Sequence, residues 1–236
     1  MALTIGDIGA RSTAGRRTMR RVAIAGCRLV LLAAVTGALA VTARAENAAP
    51  SAVPKDELEA KVNYCENCHG VSARGFHGYY PIPRLAGQQP DYLENQLQAF
   101  IERRRTNPIM FSVGHVLSPA MVAALAATFK ALDPKPLGGG PHELTAAGKT
   151  IYENGIPEAQ VPACASCHGP EAKGDGQFPR LAGQLFDYVS NKLVNWDKER
   201  GQDPNKPDAS SIMQPIAHNL TASQIKAVAA YLSYLE

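Results

Sequence analysis

Two short stretches decide how this chain folds: Cys65-Glu66-Asn67-Cys68-His69 and Cys164-Ala165-Ser166-Cys167-His168. Each reads C-x-x-C-H, the attachment signature of c-type haem. The spacing has a physical reason. Residues three apart on a helical turn share one face, so two thiols can add across the two vinyl groups along one porphyrin edge. The next residue, His69 or His168, then projects over the iron as its proximal ligand. A bare C-x-x-C also suits a thioredoxin-type couple, half of a zinc site, or a disulfide in an oxidising compartment. Two copies, each completed by His, favour haem, and a zinc site drawing on both would have to join two separate repeats. The remaining cysteine, Cys27, stands far upstream.

The motifs belong to an internal duplication. Pro83-Arg84-Leu85-Ala86-Gly87-Gln88 returns as Pro179-Arg180-Leu181-Ala182-Gly183-Gln184, and ten of the eighteen positions from 83 to 100 match those from 179 to 196. Asp91-Tyr92 pairs with Asp187-Tyr188, Asn95 with Asn191, and Leu97 with Leu193. The Pro- and Gly-rich run 134–141 reads as a linker, which sets domains at 46–133 and 142–236. Each is under 100 residues, marginal for a core of its own, and a buried haem would supply the apolar centre.

Residues 1–45 read as a cleaved secretory signal: Arg16, Arg17, Arg20 and Arg21, an uncharged apolar run Leu29–Val41, then Ala43-Arg44-Ala45. The run is too short to span a membrane, which takes about 20 apolar residues. The chain is therefore expected in the periplasm. Of the 24 Lys and Arg and 21 Asp and Glu, seven Arg and Asp7 lie in this leader. The rest of the chain holds 17 basic and 20 acidic side chains, so the formal +3 becomes −3. No net basic field remains to attract nucleic acid. Arg103-Arg104-Arg105 reads as a solvated helix end, with a docking patch for an acidic partner as the alternative.

Each repeat reads as mostly helix. A first helix over 56–66 or 144–154 leads into the cysteines, a second covers 91–103 or 187–199, and a third covers 119–132 or 222–235. The third has helical apolar spacing at Val122, Leu125, Ala126, Phe129 and Leu132, and at Ile225, Val228, Ala229, Leu232 and Leu235. Ser118 before Pro119, and Thr221 with Gln224, mark its two starts. Aligning the third helices places Met110 on Met213 and His115 on His218. A thioether at the same place in both repeats is what a sixth iron ligand requires, and both methionines are expected in irregular segments near Pro108 and Pro215. Met121 matches Gln224 and reads as core. His115 and His218 are the rival ligands, of lower-potential type; their other role is a polar contact near the haem edge. His77 and His142 read as surface residues.

At this point the chain resembles the di-haem cytochrome c4 family: two C-x-x-C-H motifs, each followed by P-x-L-A-G-Q, a helix opening D-Y, a Met and a final L-S/T helix, over nearly the whole length beyond the leader. The resemblance implies an all-α protein of two tandem class I cytochrome c-like domains related by pseudo-twofold symmetry, with two covalently bound haem c groups held through Cys65, Cys68, Cys164 and Cys167. It implies iron ligated by His69 with Met110 and by His168 with Met213. It implies that the carbonyls of Pro83 and Pro179 accept from the proximal histidines, and that Arg84 and Arg180 pair with haem propionates. The partners would be redox proteins such as a quinol-oxidising complex, a terminal oxidase or a dehydrogenase, with peripheral membrane association left open. One departure is the longer first loop: His69 to Pro83 spans 14 positions, His168 to Pro179 spans 11, so the two haem edges are expected to differ in exposure and potential. Iron with two strong protein ligands changes oxidation state and binds no substrate, which makes the chain an electron carrier. The alternatives are a di-haem enzyme of thiosulfate dehydrogenase or peroxidase type, with one weakly ligated iron, and a di-haem subunit of a dehydrogenase complex.

Overall fold

The computed structural model describes residues 52–200 and 209–236. The expected signal, 1–45, and the first residues of the expected N-terminal domain lie outside them. The described residues carry helices and no named strand. In the first half these are α1 (Lys55–His69), α2 (Pro90–Ile101), α3 (Pro108–His115) and α4 (Pro119–Lys130). In the second they are α5 (Thr145–Asn154), α6 (Ala165–His168), α7 (Phe186–Val194), α8 (Trp196–Glu199), α9 (Ser210–Asn219) and α10 (Ala222–Tyr234).

Local chemistry explains the starts. Ser118 accepts from the Met121 N–H at 3.2 Å, with Pro119 at the first helical position of α4. Thr221 and Gln224 close a full capping box on α10. The two halves differ where α1 carries unbroken through Cys65 and Cys68 to His69, whereas its counterpart is interrupted. There α5 stops at Asn154, and Gly155, at φ +70°, turns the chain into a short Pro157–Ala159 excursion. A Cβ on Gly155 would lie 2.4 Å from the Val161 carbonyl oxygen, so the turn needs glycine. Helix α6 then resumes with the second motif.

Met110 and Met213 lie in short helices, α3 and α9, not in irregular backbone. Pro108 does not break α3; it occupies the first position after the Asn107 cap, where a missing N–H costs nothing. Pro215 sits inside α9 and forfeits one ladder bond.

Each half has its own apolar centre. Ala73, Ala86, Met121, Leu125 and Phe129 form one, with Met121 in the core as expected. Tyr152, Ala172, Ala182, Val189, Val228, Ala229 and Leu232 form the other. Helix α4 packs on α1 and α2, as α10 packs on α5 and α7; α3 packs on α2, as α9 packs on α7. The described residues nevertheless make one compact unit.

Candidate haem sites and the seam between them

Both motif histidines are buried at the end of a helix and followed by a glycine at φ near +80°. That residue stops the helix, and the chain folds back so that Gly75 N–H donates to the His69 carbonyl and Gly174 N–H to the His168 carbonyl. Four residues after each histidine stands an alanine in left-handed conformation, Ala73 (φ +53°) and Ala172 (φ +55°), each fully buried. Its carbonyl receives the next loop: Leu85 and Ala86 N–H on Ala73, Leu181 and Ala182 N–H on Ala172. This strained corner, matching in both halves, brings a proline carbonyl onto each imidazole. His69 Nδ1–H donates to the Pro83 oxygen at 2.8 Å, and His168 Nδ1–H to the Pro179 oxygen at 2.9 Å.

A carbonyl only accepts, so Nδ1 holds the proton and the Nε2 lone pair is free. Burial lowers the proton affinity of both imidazoles; the proline bonds oppose this, and for His69 the nearby Arg105 charge adds to it. Both rings are therefore neutral at pH 7, the form that ligates a metal. Cys65 and Cys164 are half-buried and Cys68 and Cys167 exposed, and none of the four is in a disulfide. Met110 and Met213 are half-buried on α3 and α9. His115 is exposed and stacks on Phe111; His218 is exposed and paired with Asp197. His77 and His142 are surface residues, near Asp187 and against Tyr234 respectively.

Arg84 and Arg180 lie buried where the halves meet. Arg84 donates to the Ala86 and Pro134 oxygens and meets Asp133 at 3.4 Å. Burial, then the Arg180 charge, bring its pKa to about 10 against the pull of Asp133. Arg180 donates through Nε to the Ala182 oxygen; its Nη2 reaches Asp133 only at 3.6 Å and has no hydrogen-bond acceptor. The buried Trp196 Nε1–H also lacks an acceptor. Three buried polar atoms of the C-terminal half have no hydrogen-bond partner, Arg180 Nη2, Ser190 Oγ and Trp196 Nε1; with a neutral imidazole and a thiol pair spaced for vinyl groups, such donors fit a haem with acidic propionates.

The sequence implied a pseudo-twofold relation between the halves but not the residues that join them. Gln184 reaches across to Arg84: its Oε1 accepts the Arg84 N–H at 2.9 Å and its Nε2 donates to the Arg84 oxygen at 3.0 Å. Gln88 does the same to Arg180, at 2.7 and 2.9 Å. These reciprocal bonds make the seam isologous, the pattern of a twofold interface. The repeated glutamines were the available signal. Arg105 is also here. Instead of ending a solvated run it is buried, donating to Gln96 at 2.8 Å and to the Tyr188 hydroxyl at 2.6 Å. Arg200 mirrors it, donating to Gln96 at 3.0 Å and to the Tyr92 hydroxyl at 3.3 Å. Burial alone would raise the Tyr92 pKa, but Arg200, Arg105 and Lys192 together pull it below the usual phenol value.

Helices without strands, a duplicated motif and a mirrored seam define a tandem c-type cytochrome. The cytochrome c family model matches residues 145–236. Cytochrome c4 of Thiocapsa roseopersicina is 39% identical over 195 residues, covering 80% of this chain and 96% of the relative. The thiosulfate dehydrogenase electron acceptor of Thiomonas intermedia is 36% identical, covering 87% and 90%. The solved cytochrome c4 of Acidithiobacillus ferrooxidans is 37% identical, with a TM-score of 0.62, covering 73% of this chain and 99% of that one. The chain belongs to the cytochrome c4 family. It is a di-haem electron carrier with two covalently bound haem c groups.

Proposed function

We propose that this chain is exported to the periplasm and relays single electrons between redox proteins without catalysing a reaction of its own. In this assignment Cys65 and Cys68 tether one haem and Cys164 and Cys167 the other. His69 with Met110, and His168 with Met213, would hold the two irons. The haem supplies a one-electron couple; the chain supplies ligands, a low-dielectric pocket and a route. The observation that carries the reading is the matched placement of Met110 and Met213, each half-buried on a short helix packed against the second helix of its half. An iron closed by two protein ligands offers no position to a substrate, and Met/His ligation with burial favours a raised potential.

The expected boundaries, 46–133 and 142–236 around a 134–141 linker, fit helices and apolar centres that stay within each half. Arg180 Nη2, near Asp133 but without a hydrogen-bond acceptor, and Trp196 Nε1 suit propionates of the second haem, whereas Arg84 has its guanidinium hydrogen-bonded to Ala86, Pro134 and Asp133. The relative in Thiomonas intermedia, named as an electron acceptor of thiosulfate dehydrogenase, supports a dehydrogenase of that type as donor. Docking would be transient, as small redox interfaces are.

The test is a spectroelectrochemical titration of the exported protein from the periplasmic fraction. It should show two one-electron waves and the ferric Met–iron charge-transfer band, with electrons accepted from a thiosulfate dehydrogenase. Ready cyanide binding by the resting protein, or steady thiosulfate turnover by the chain alone, would overturn it.

A further inference from the structure

We infer that each half sets the electron affinity of the haem in the other half through a single shared peptide group. The inference rests on the assignment of His69 and His168 as axial ligands. The peptide joining Pro83 to Arg84 presents its C=O to His69 Nδ1 at 2.8 Å and its N–H to Gln184 Oε1 at 2.9 Å. The peptide joining Pro179 to Arg180 presents its C=O to His168 at 2.9 Å and its N–H to Gln88 Oε1 at 2.7 Å. In both cases imidazole and glutamine sit at the two ends of one conjugated amide, and the glutamine comes from the opposite repeat.

An amide polarises as a unit. When its N–H gives a hydrogen bond, electron density moves onto its oxygen, and chains of such bonds strengthen one another by roughly 10–30% per bond. The proline oxygen therefore pulls harder on the imidazole proton. A ring whose N–H is pulled is a more basic ligand through its other nitrogen, and a more basic ligand stabilises ferric over ferrous iron. Gln184 thus lowers the potential of the N-terminal haem, and Gln88 that of the C-terminal haem.

The geometry suits this role beyond holding the halves together. Each Nε2 donates to the carbonyl of the same arginine, which locks the amide so that Oε1 faces the N–H. Each Oε1 also accepts its own following N–H, Gln89 at 2.9 Å and Leu185 at 3.1 Å. Both glutamines are buried, so water does not substitute for the bond. Separating or rotating the halves would weaken both bonds and move both potentials in the same direction; a partner docking across the seam has this lever available.

The experiment is potentiometric titration of the holoprotein. Met110→His and Met213→His each should lower one wave and so assign the two waves to their halves. Gln184→Leu should raise the N-terminal wave and leave the C-terminal one in place; Gln88→Leu should do the converse. The expected size is a two- to tenfold change in that haem's redox equilibrium, tenfold being about 59 mV for one electron. Gln184→Glu keeps an acceptor and makes it anionic, so it should move the N-terminal wave the opposite way, and it serves if the leucine variant does not fold. A glutamine that acted only as a structural latch would, when lost, admit water and lower both waves together, and that result would overturn the inference. So would a shift confined to the glutamine's own half. If the methionine variants move neither wave, the Met110 and Met213 assignment of the proposed function falls, while the relay, which rests on His69 and His168, is still decided by the glutamine variants: each must raise one wave, and not the same one.

Discussion

Tyr152 shows what one side chain does for the second haem motif. It is fully buried between α5 and the C-terminal core, and its hydroxyl donates to the Gly169 oxygen at 2.5 Å. Burial pushes its pKa up, so it stays a donor across the working range. Gly169 follows His168 directly, and the bond helps fix the reversal that carries the chain from His168 to Pro179. Tyr152→Phe keeps the ring and removes one of the two bonds to that carbonyl, which still accepts from the Ala172 N–H; the loss of one such bond costs about 0.5–1.5 kcal/mol. A urea midpoint lowered by that amount, with the N-terminal wave unmoved in a redox titration, is the expected result. At this scale the motif histidines were legible because C-x-x-C-H is a local pattern. The role of Tyr152 was not, since its acceptor lies 17 residues away.

Among the elements, the crossing of α5 and α10 is the most extensive helix contact in the C-terminal half. Gly148 sits at that crossing, and a Cβ there would lie 2.0 Å from the Ala227 oxygen, a backbone atom of the facing helix. The two helices approach this closely only because position 148 lacks a side chain. Gly148→Ala must push α10 outward and should destabilise the protein by about 1–3 kcal/mol, despite the better helix propensity of alanine. Thermal unfolding followed by far-UV circular dichroism measures the loss. The helices themselves were readable: Ser118-Pro119 and Thr221 with Gln224 declare their starts within four residues. Helices α3 and α9 were not, because two prolines near the methionines suggested irregular chain. Asn107, which accepts the Met110 N–H at 2.9 Å, shows that Pro108 belongs to a helix start.

Across the whole molecule, the seam holds the charges that connect the halves. Tyr92 has its pKa lowered by Arg200, Arg105 and Lys192 despite the opposing effect of burial. Between that lowered value and the ordinary phenol value of about 10, the folded chain has released a proton that the unfolded chain still holds. Stability contributed by Tyr92 must then rise with pH across that window and level off above about 10. Urea midpoints at intervals from pH 8 to 10 should show this increment in the parent protein and its absence in Tyr92→Phe. A parent and variant with the same pH slope would contradict the assignment of the charge at the seam.

Spacing along the chain announces two porphyrin attachments and most helix boundaries, because each depends on residues one to four positions apart, and the duplication is legible as the same run recurring 96 positions on. The reciprocal glutamines, the burial of Arg105 and the sharing of Gln96 by two arginines depend on groups brought together from separate repeats; Gln184 and Arg84 are 100 positions apart. No local periodicity encodes such a meeting. It arises when two similar surfaces turn toward each other, and the buried amide and guanidinium groups must then find partners or pay for desolvation.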